Sequence, residues 1–213
     1  MRIDFVADVA CPWCAIGLAA LDTAIERIGP SLEVELHMQP FELNPGMPPE
    51  GDEVANYLKS KYGMSDEQLV AGQTQLKARG AEEGFEFGER KYVWNTFDAH
   101  RMVRWSATEG APGAQHALKR AMFVAYHGEG RNPSDPGVLI DLVTAVGLDV
   151  DRAREVLASD AFADEVRAAE QFWQEIGIHA VPAVVINRKH LISGGQPSAV
   201  FERALRELAE EQE

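Results

Sequence analysis

Cysteine is the scarcest reactive residue in this chain, with only Cys11 and Cys14 among 213 residues. Two thiols three positions apart cannot link distant parts of a fold, so a framework of structural disulfides is excluded. Hydrophobic residues make up 46% of the chain, an ordinary value for a globular protein. The core can therefore form by burial alone, without disulfides or a structural metal.

The chain also has few positively charged residues and no long apolar run. The 20 Lys and Arg residues face 34 Asp and Glu residues, for a formal net charge of −14. Such a surface repels nucleic acids and anionic membranes, so we expect neither as a partner. No apolar run has the length of a membrane span, and the first residues lack the apolar core of a secretory signal. We therefore predict a cytoplasmic protein, in which a lone cysteine pair is more often catalytic or metal-binding than structural.

The order of the predicted elements is βαβ, then a block of helices, then ββα. Alternation and apolar periodicity predict strands over 3–9 and 32–41, a helix ending at Gly29, and two late strands over 183–186 and 190–193. The strong signals over 51–178 are helical. The pattern predicts an α/β protein with one sheet built from both ends of the chain. We place a discontinuous domain at 1–45 and 179–213, and an inserted all-helical domain at 46–178.

The cysteines lie where the first strand gives way to the first helix, in the sequence Cys11-Pro-Trp-Cys14. Cys11 is expected at the helix N-terminus, where unpaired N–H groups and the helix dipole stabilise a thiolate. Cys14, one turn further on, could attack the sulfur of Cys11 and resolve a mixed disulfide. Pro12 suits a first helical turn, and Trp13 offers apolar contact area for a substrate.

Two other interpretations of the cysteine pair stay open at this point. The pair could be half of a zinc site completed by a second copy of the chain, since no further cysteine or paired histidines are present to supply ligands. It could also consist of two unreactive core cysteines. We favour redox chemistry and predict no metal site.

A second feature lies far away in the sequence, where Val181-Pro182 precedes an apolar strand. Proline is tolerated at the first residue of a strand or at a sheet edge, and that explanation suffices by itself. A functional interpretation places a cis Val181–Pro182 bond opposite the cysteines.

Four stretches together resemble a known family: Asp8-x-x-Cys-Pro-Trp-Cys-x-Ile-Gly17, Asn95-x-Phe-Asp-Ala-His-Arg101, Val181-Pro-Ala-Val-Val-Ile-Asn187 and Ser193-Gly-Gly-Gln-Pro197. The chain is similar to the DsbA-like thioredoxin-domain oxidoreductases, and specifically to the FrnE-like group. The resemblance covers nearly the whole chain. It implies a thioredoxin fold interrupted by a helical insert, as the periodicity also predicts.

The resemblance also implies a chemistry, which is thiol–disulfide exchange. Cys11 would be the nucleophile, Cys14 the resolving thiol, and Pro182 a cis proline beside them. The backbone of Val181 would pair with an extended substrate, either a disulfide-containing protein or a small disulfide. The Cys11–Cys14 couple would be the redox group, with no bound cofactor and with glutathione as a reductant or substrate.

The chain departs from the family pattern at two points. Many thioredoxins carry a buried acid six positions before the first cysteine, where this chain has Phe5. Asp8 could replace that acid, although an Asp at a strand end is more often a turn or capping residue. No histidine lies between the cysteines, so we expect a less oxidising couple than that of DsbA itself. For His100 we favour a structural, hydrogen-bonded role, and Gln196 has no role from sequence.

Two alternatives to exchange chemistry remain. One is a glutathione-dependent isomerase or transferase of the hydroxychromene-carboxylate isomerase type, which activates glutathione with a hydroxyl at the first-cysteine position. The other is a non-catalytic thioredoxin-fold binding module. Apolar residues on the insert also make a homodimer a candidate assembly.

Overall fold

The computed structural model describes residues 1–210, and the last three residues of the predicted segment 179–213 lie outside the described part. A four-stranded sheet forms the centre of the fold. Its elements and those around it, in chain order, are β1 (Arg2–Ala7), α1 (Pro12–Ile28), β2 (Glu35–Pro40), β3 (Asp52–Glu53), α2 (Val54–Tyr62), α3 (Asp66–Glu82), β4 (Tyr92–Val93), α4 (Phe97–Glu109), α5 (Ala114–Phe123), α6 (Pro136–Ala145), α7 (Val150–Leu157), α8 (Ala163–Glu175), β5 (Ala183–Ile186), β6 (His190–Ser193) and α9 (Ser198–Glu210).

The sheet has the strand order β2-β1-β5-β6 and joins both ends of the chain. The first two strands are parallel, and β5 and β6 run antiparallel to their neighbours. β1 pairs with β5 so that Val6 lies opposite Ala183. This topology matches the predicted α/β architecture, in which a block of helices is inserted between a βαβ unit and a ββα unit.

Alternation along β1 divides the core into two layers. Ile3, Phe5 and Ala7 belong to the larger hydrophobic cluster, which also contains residues of α1, α9 and the insert. Val6 points to the other face and packs in a smaller cluster that includes Trp173 of α8. β1 is buried on both faces from Ile3 to Ala7, and its buried charged residue, Asp4, pairs with Arg2.

The element ends follow local capping chemistry. Gly29, with φ 65°, ends α1, and Ser65 and Gln68 form a capping box at the start of α3. The strand predicted over 32–41 begins only at Glu35, because a 3₁₀ turn at Gly29–Ser31 precedes it. The strand predicted over 3–9 ends at Ala7.

The insert is mostly helical, but its short elements β3, β4 and α7 were not individually predicted. β3 and β4 form a two-residue antiparallel ladder, too short to leave an alternating pattern. α7 begins after Asp149, whose side chain accepts a hydrogen bond from the backbone N–H of Arg152. Within residues 1–210, no helix has the length and apolar character needed to cross a bilayer. The domain limits at 45/46 and 178/179 stay predictions.

Candidate active site

The loop between β1 and α1 places Cys11 at the helix start. Cys11 occupies the N-cap position of α1, with Pro12 as the first helical residue. Its backbone N–H donates to the carbonyl of Asp8 (3.2 Å), and its own carbonyl accepts from the N–H of Cys14 (3.1 Å). The predicted helix-start position of Cys11 is therefore observed, beside a first turn whose backbone N–H groups lack partners within the helix, and the Cys11 side chain makes no capping hydrogen bond.

Cys14 lies beneath Cys11 in the interior. Both cysteines are free thiols; Cys14 is fully buried and Cys11 is 4% exposed. Burial raises the pKa of the Cys14 thiol well above its ordinary value, and the hydrogen bond to Cys11 and the charge of Cys11 raise it further. The two sulfurs are close enough to interact, and only the first is near the surface.

The second predicted stretch meets the cysteines in space. The Val181–Pro182 peptide bond is cis. The thiol of Cys11 lies 3.6 Å from the carbonyl oxygen of Val181. The structure thus brings together Cys11, Cys14, Val181 and Pro182 from segments about 170 positions apart.

Two glycines allow this close approach. A Cβ on Gly17 of α1 would lie 3.1 Å from Cγ of Pro182, and a Cβ on Gly195 would lie 2.9 Å from the backbone oxygen of Trp13. The Ser193–Pro197 stretch therefore packs directly against the helix start that carries the cysteines. Gln196, which had no predicted role, donates from Nε2 to the carbonyl of Ser193 (2.8 Å) and so closes this turn.

We expect Gly195→Ala to lower the free energy of unfolding by about 1–3 kcal/mol, because the added methyl group meets backbone at Trp13 rather than a movable side chain. Urea denaturation measures the change. Gly46→Ala is the matched control, since a Cβ at Gly46 meets no atom within 4 Å. Equal stabilities for the two variants would contradict the close packing of this turn.

Asp8 stabilises the loop between β1 and α1 from the interior of the protein. Its buried carboxylate accepts hydrogen bonds from the backbone N–H groups of Ala10 (3.0 Å) and Leu43 (2.7 Å) and from the hydroxyl of Thr96 (2.7 Å). The bond from Ala10 is the expected turn interaction. The bonds from Leu43 and Thr96 connect Asp8 to the loop after β2 and to the insert. Asp8 is therefore both a turn residue and the centre of a network between segments.

His100 of α4 completes this network, with Nε2 3.4 Å from the Asp8 carboxylate. Burial, reinforced by the charge of Lys119, lowers the pKa of His100 to about 4. Although burial opposes its ionisation, hydrogen bonds from His100, Leu43 and Ala10 lower the pKa of Asp8. Near neutral pH the pair is a carboxylate beside a neutral imidazole, the structural role favoured for His100.

Three side chains of the insert hold the carbonyl groups that precede Cys11. Lys119 donates to Ala7 (3.2 Å), His127 to Val9 (2.8 Å) and Arg90 to Ala10 (3.1 Å). Burial and the charge of Arg90 lower the pKa of His127 well below its ordinary value, so a neutral ring makes this contact.

None of these three residues was identified from the sequence. A signal existed for Lys119 alone, because it shares the buried side of α5 with Met122 and Phe123, three and four positions on. For Arg90 and His127 no local pattern distinguishes them from other polar residues of the insert.

No metal-ligand cluster is found in residues 1–210, and two cavities lie away from the cysteines. Among the described residues, no group of three or more His, Cys, Asp and Glu side chains could hold a metal ion. Cavities of about 480 and 680 Å³ lie elsewhere, one along 43–52 and one between α8 and the sheet edge. Neither is lined by Cys11.

Comparison with known proteins agrees with this geometry. A crystal structure of a probable DsbA oxidoreductase from Streptomyces coelicolor, SCO1869, is 36% identical, with a TM-score of 0.90 over 99% of this chain and 91% of that one. The uncharacterised protein YwbO of Bacillus subtilis is 28% identical over 207 residues, 96% of both chains. A 2-hydroxychromene-2-carboxylate isomerase, 17% identical over 100% of this chain and 98% of that one, shares the fold with a TM-score of 0.73.

A sequence profile of one family spans almost the entire chain. The profile of the DSBA-like thioredoxin domain matches residues 2–206. The predicted thioredoxin fold with a helical insert is confirmed by this match and by the similarity to SCO1869. The chain therefore belongs to the DSBA-like thioredoxin domain family.

Proposed function

We propose that this protein is a thiol–disulfide oxidoreductase in which Cys11 attacks and Cys14 resolves. The observation that carries the proposal is the position of Cys11: at the N-terminus of α1, 3.6 Å from the carbonyl of Val181, with Cys14 beneath it. Backbone N–H groups at a helix start stabilise a thiolate, the form of cysteine that attacks disulfides.

The reaction proceeds in two exchanges. The Cys11 thiolate attacks one sulfur of a substrate disulfide, forms a mixed disulfide and releases the first substrate thiolate. The Cys14 thiolate then attacks Cys11, forms the Cys11–Cys14 disulfide and releases the second. Two thiolate products take up protons from solvent, so the substrate gains two electrons and the protein loses two. A small thiol such as glutathione can return the couple to its reduced form.

The substrate contacts follow from the surface beside Cys11. The backbone of Val181 would pair with an extended substrate segment, while Pro12, Trp13 and Pro182 supply apolar contact. The proposed substrate is a disulfide-containing protein or a small disulfide, since both offer a sulfur that the Cys11 thiolate can attack. The cytoplasmic location, the less oxidising couple and a homodimer stay predictions.

The Cys14→Ser variant tests the proposal by trapping its intermediate. Because serine does not resolve a mixed disulfide, we expect oxidised glutathione to leave one stable glutathione adduct on Cys11, removed by dithiothreitol and detected by intact-protein mass spectrometry. The matched control is the Cys11→Ser, Cys14→Ser double variant, which should carry no adduct.

The alternative functions predict different results in the same experiment. A glutathione-dependent isomerase would bind glutathione without a disulfide to Cys11. A non-catalytic binding module would react no faster than a denatured peptide that contains the same two cysteines. Either result would reject the exchange mechanism.

A further inference from the structure

The surroundings of Cys14 disfavour the thiolate that its proposed role requires. It is fully buried, and its pKa is raised by burial and by Cys11, yet resolution requires its thiolate. Phe5, at the position where many thioredoxins have an acid, is apolar and fully buried. Something other than an acid at that position must favour loss of the Cys14 proton.

Few ionisable groups lie around Cys14, and neither Asp8 nor His100 is suited to accept its proton. Asp8 is an acceptor for two backbone N–H groups and a hydroxyl, and hydrogen bonds keep it ionised. His100 is a poor base at neutral pH because its pKa is about 4. A hydrogen bond from the Asp8 backbone lowers the pKa of Cys14, and so does the charge of Lys119. The ammonium group of Lys119 holds the Ala7 carbonyl of the same peptide bond, so Lys119 is the side chain that a substitution can test.

Lys119 extends from the insert to the end of β1, near Cys14. It lies on α5, is 1% exposed, and donates one hydrogen bond to the carbonyl of Ala7 at the end of β1. An ammonium group has three donors, so two remain after this bond. The charged or titratable groups that face it are Asp8 at the end of β1, Cys11 and Cys14 on α1, and His100 on α4.

We propose that Lys119 is a positioning residue for the resolving step, in which its buried ammonium group stabilises the thiolate of Cys14 as this attacks the mixed disulfide on Cys11. The proposal rests on the proposed function. In this step the Cys14–Cys11 bond forms, the bond from Cys11 to the substrate sulfur breaks, and the substrate leaves as a thiolate that takes up a proton. Lys119 keeps its own proton throughout.

The electrostatics couple Lys119 to the redox state. Burial lowers the pKa of Lys119 to about 8, while Asp8, Cys14 and Cys11 act in the opposite direction. Formation of the Cys11–Cys14 disulfide removes both ionisable thiols and leaves Asp8. The ammonium form of Lys119 should therefore be more stable in the reduced protein than in the oxidised one.

The test compares Lys119→Met with the wild type in the reaction with oxidised glutathione. Acid-quenched samples analysed by mass spectrometry give separate rates for formation and decay of the mixed disulfide between pH 6 and pH 9. We expect formation to change little and decay to slow about tenfold near pH 7, as for a shift of about one pKa unit in Cys14. The two proteins should converge towards pH 9, because Lys119, with a pKa of about 8, loses its charge in the wild type. Arg120→Met, an exposed neighbour on α5, is the matched control and should behave as the wild type.

The outcomes separate this proposal from the broader one. If the wild type forms no mixed disulfide, the proposed function fails. If it does, but Lys119→Met resolves with the wild-type pH profile, the role of Lys119 is rejected. A decay rate lowered equally at every pH indicates a structural role and also rejects it. Lys119→Arg, which keeps the charge, should recover most of the rate at pH 7 if the variant protein folds.

A second measurement needs no variant that might disturb the core. Wild-type protein labelled with ¹³C at lysine Cε can be titrated by NMR in the reduced and oxidised states. We expect the buried lysine signal to titrate at higher pH in the reduced protein. Identical titration curves in the two states would reject the coupling between Lys119 and the thiolates.

Discussion

Replacement of Cys11 by serine should lower the rate of disulfide exchange by more than about 1000-fold, the scale of loss when an enzyme loses its nucleophile. The reason is electronic, because a serine hydroxyl is not ionised near neutral pH and does not attack a disulfide. The two side chains have similar shape, so the fold should tolerate the change at the start of α1. The assay is reduction of a peptide disulfide by glutathione, corrected for the uncatalysed rate.

Cys14→Ser serves as the comparison in that assay. It keeps the nucleophile at the helix start and should still complete the first exchange. Without glutathione one substrate thiol should be released per protein, and in the full assay further turnover should require glutathione to attack the mixed disulfide on Cys11. A wild-type rate in Cys11→Ser would show that the activity does not reside in this cysteine pair. Thermal unfolding of each variant should be measured alongside, so that a lost activity is not confused with a lost fold.

The second large effect concerns stability and lies at Asp8. We expect Asp8→Ala to lower the free energy of unfolding by about 3–5 kcal/mol, the range for removal of one partner from a buried ionic network. The variant leaves the N–H groups of Ala10 and Leu43 and the hydroxyl of Thr96 without their acceptor. It also leaves the buried charge of Lys119 without its nearby anion. Urea denaturation at neutral pH measures the loss.

The pH dependence tests whether the charge of Asp8, and not only its shape, supports the fold. Folding lowers the pKa of Asp8, so its contribution is present above the ordinary carboxyl pKa and is lost as the pH falls through the folded value. Asp8→Asn keeps the shape without the charge. The stability difference between the wild type and Asp8→Asn should therefore be largest at neutral pH and shrink below about pH 4. A difference independent of pH would contradict an ionised Asp8.

The sequence by itself determined the features that depend on neighbouring residues. Helix starts at Pro12 and Pro136, the capping box at Ser65 and the late strands Ala183–Ile186 and His190–Ser193 were all predictable, because caps and periodicity act over a few positions. The same local logic placed Cys11 at a helix start and Cys14 one turn inside. The two-residue ladder of β3 with β4 was not predictable, since it is too short to leave a period.

Only the tertiary structure decided which buried polar groups surround the cysteines. The contact between Lys119 and Ala7 spans 112 positions, and the contact between Thr96 and Asp8 spans 88. Such contacts depend on how the insert docks on the end of the sheet, which no local pattern encodes. Burial then sets the chemistry: the same lysine on an exposed helix face would be solvated and screened, whereas inside the protein its charge is screened less and lowers the pKa of Cys14.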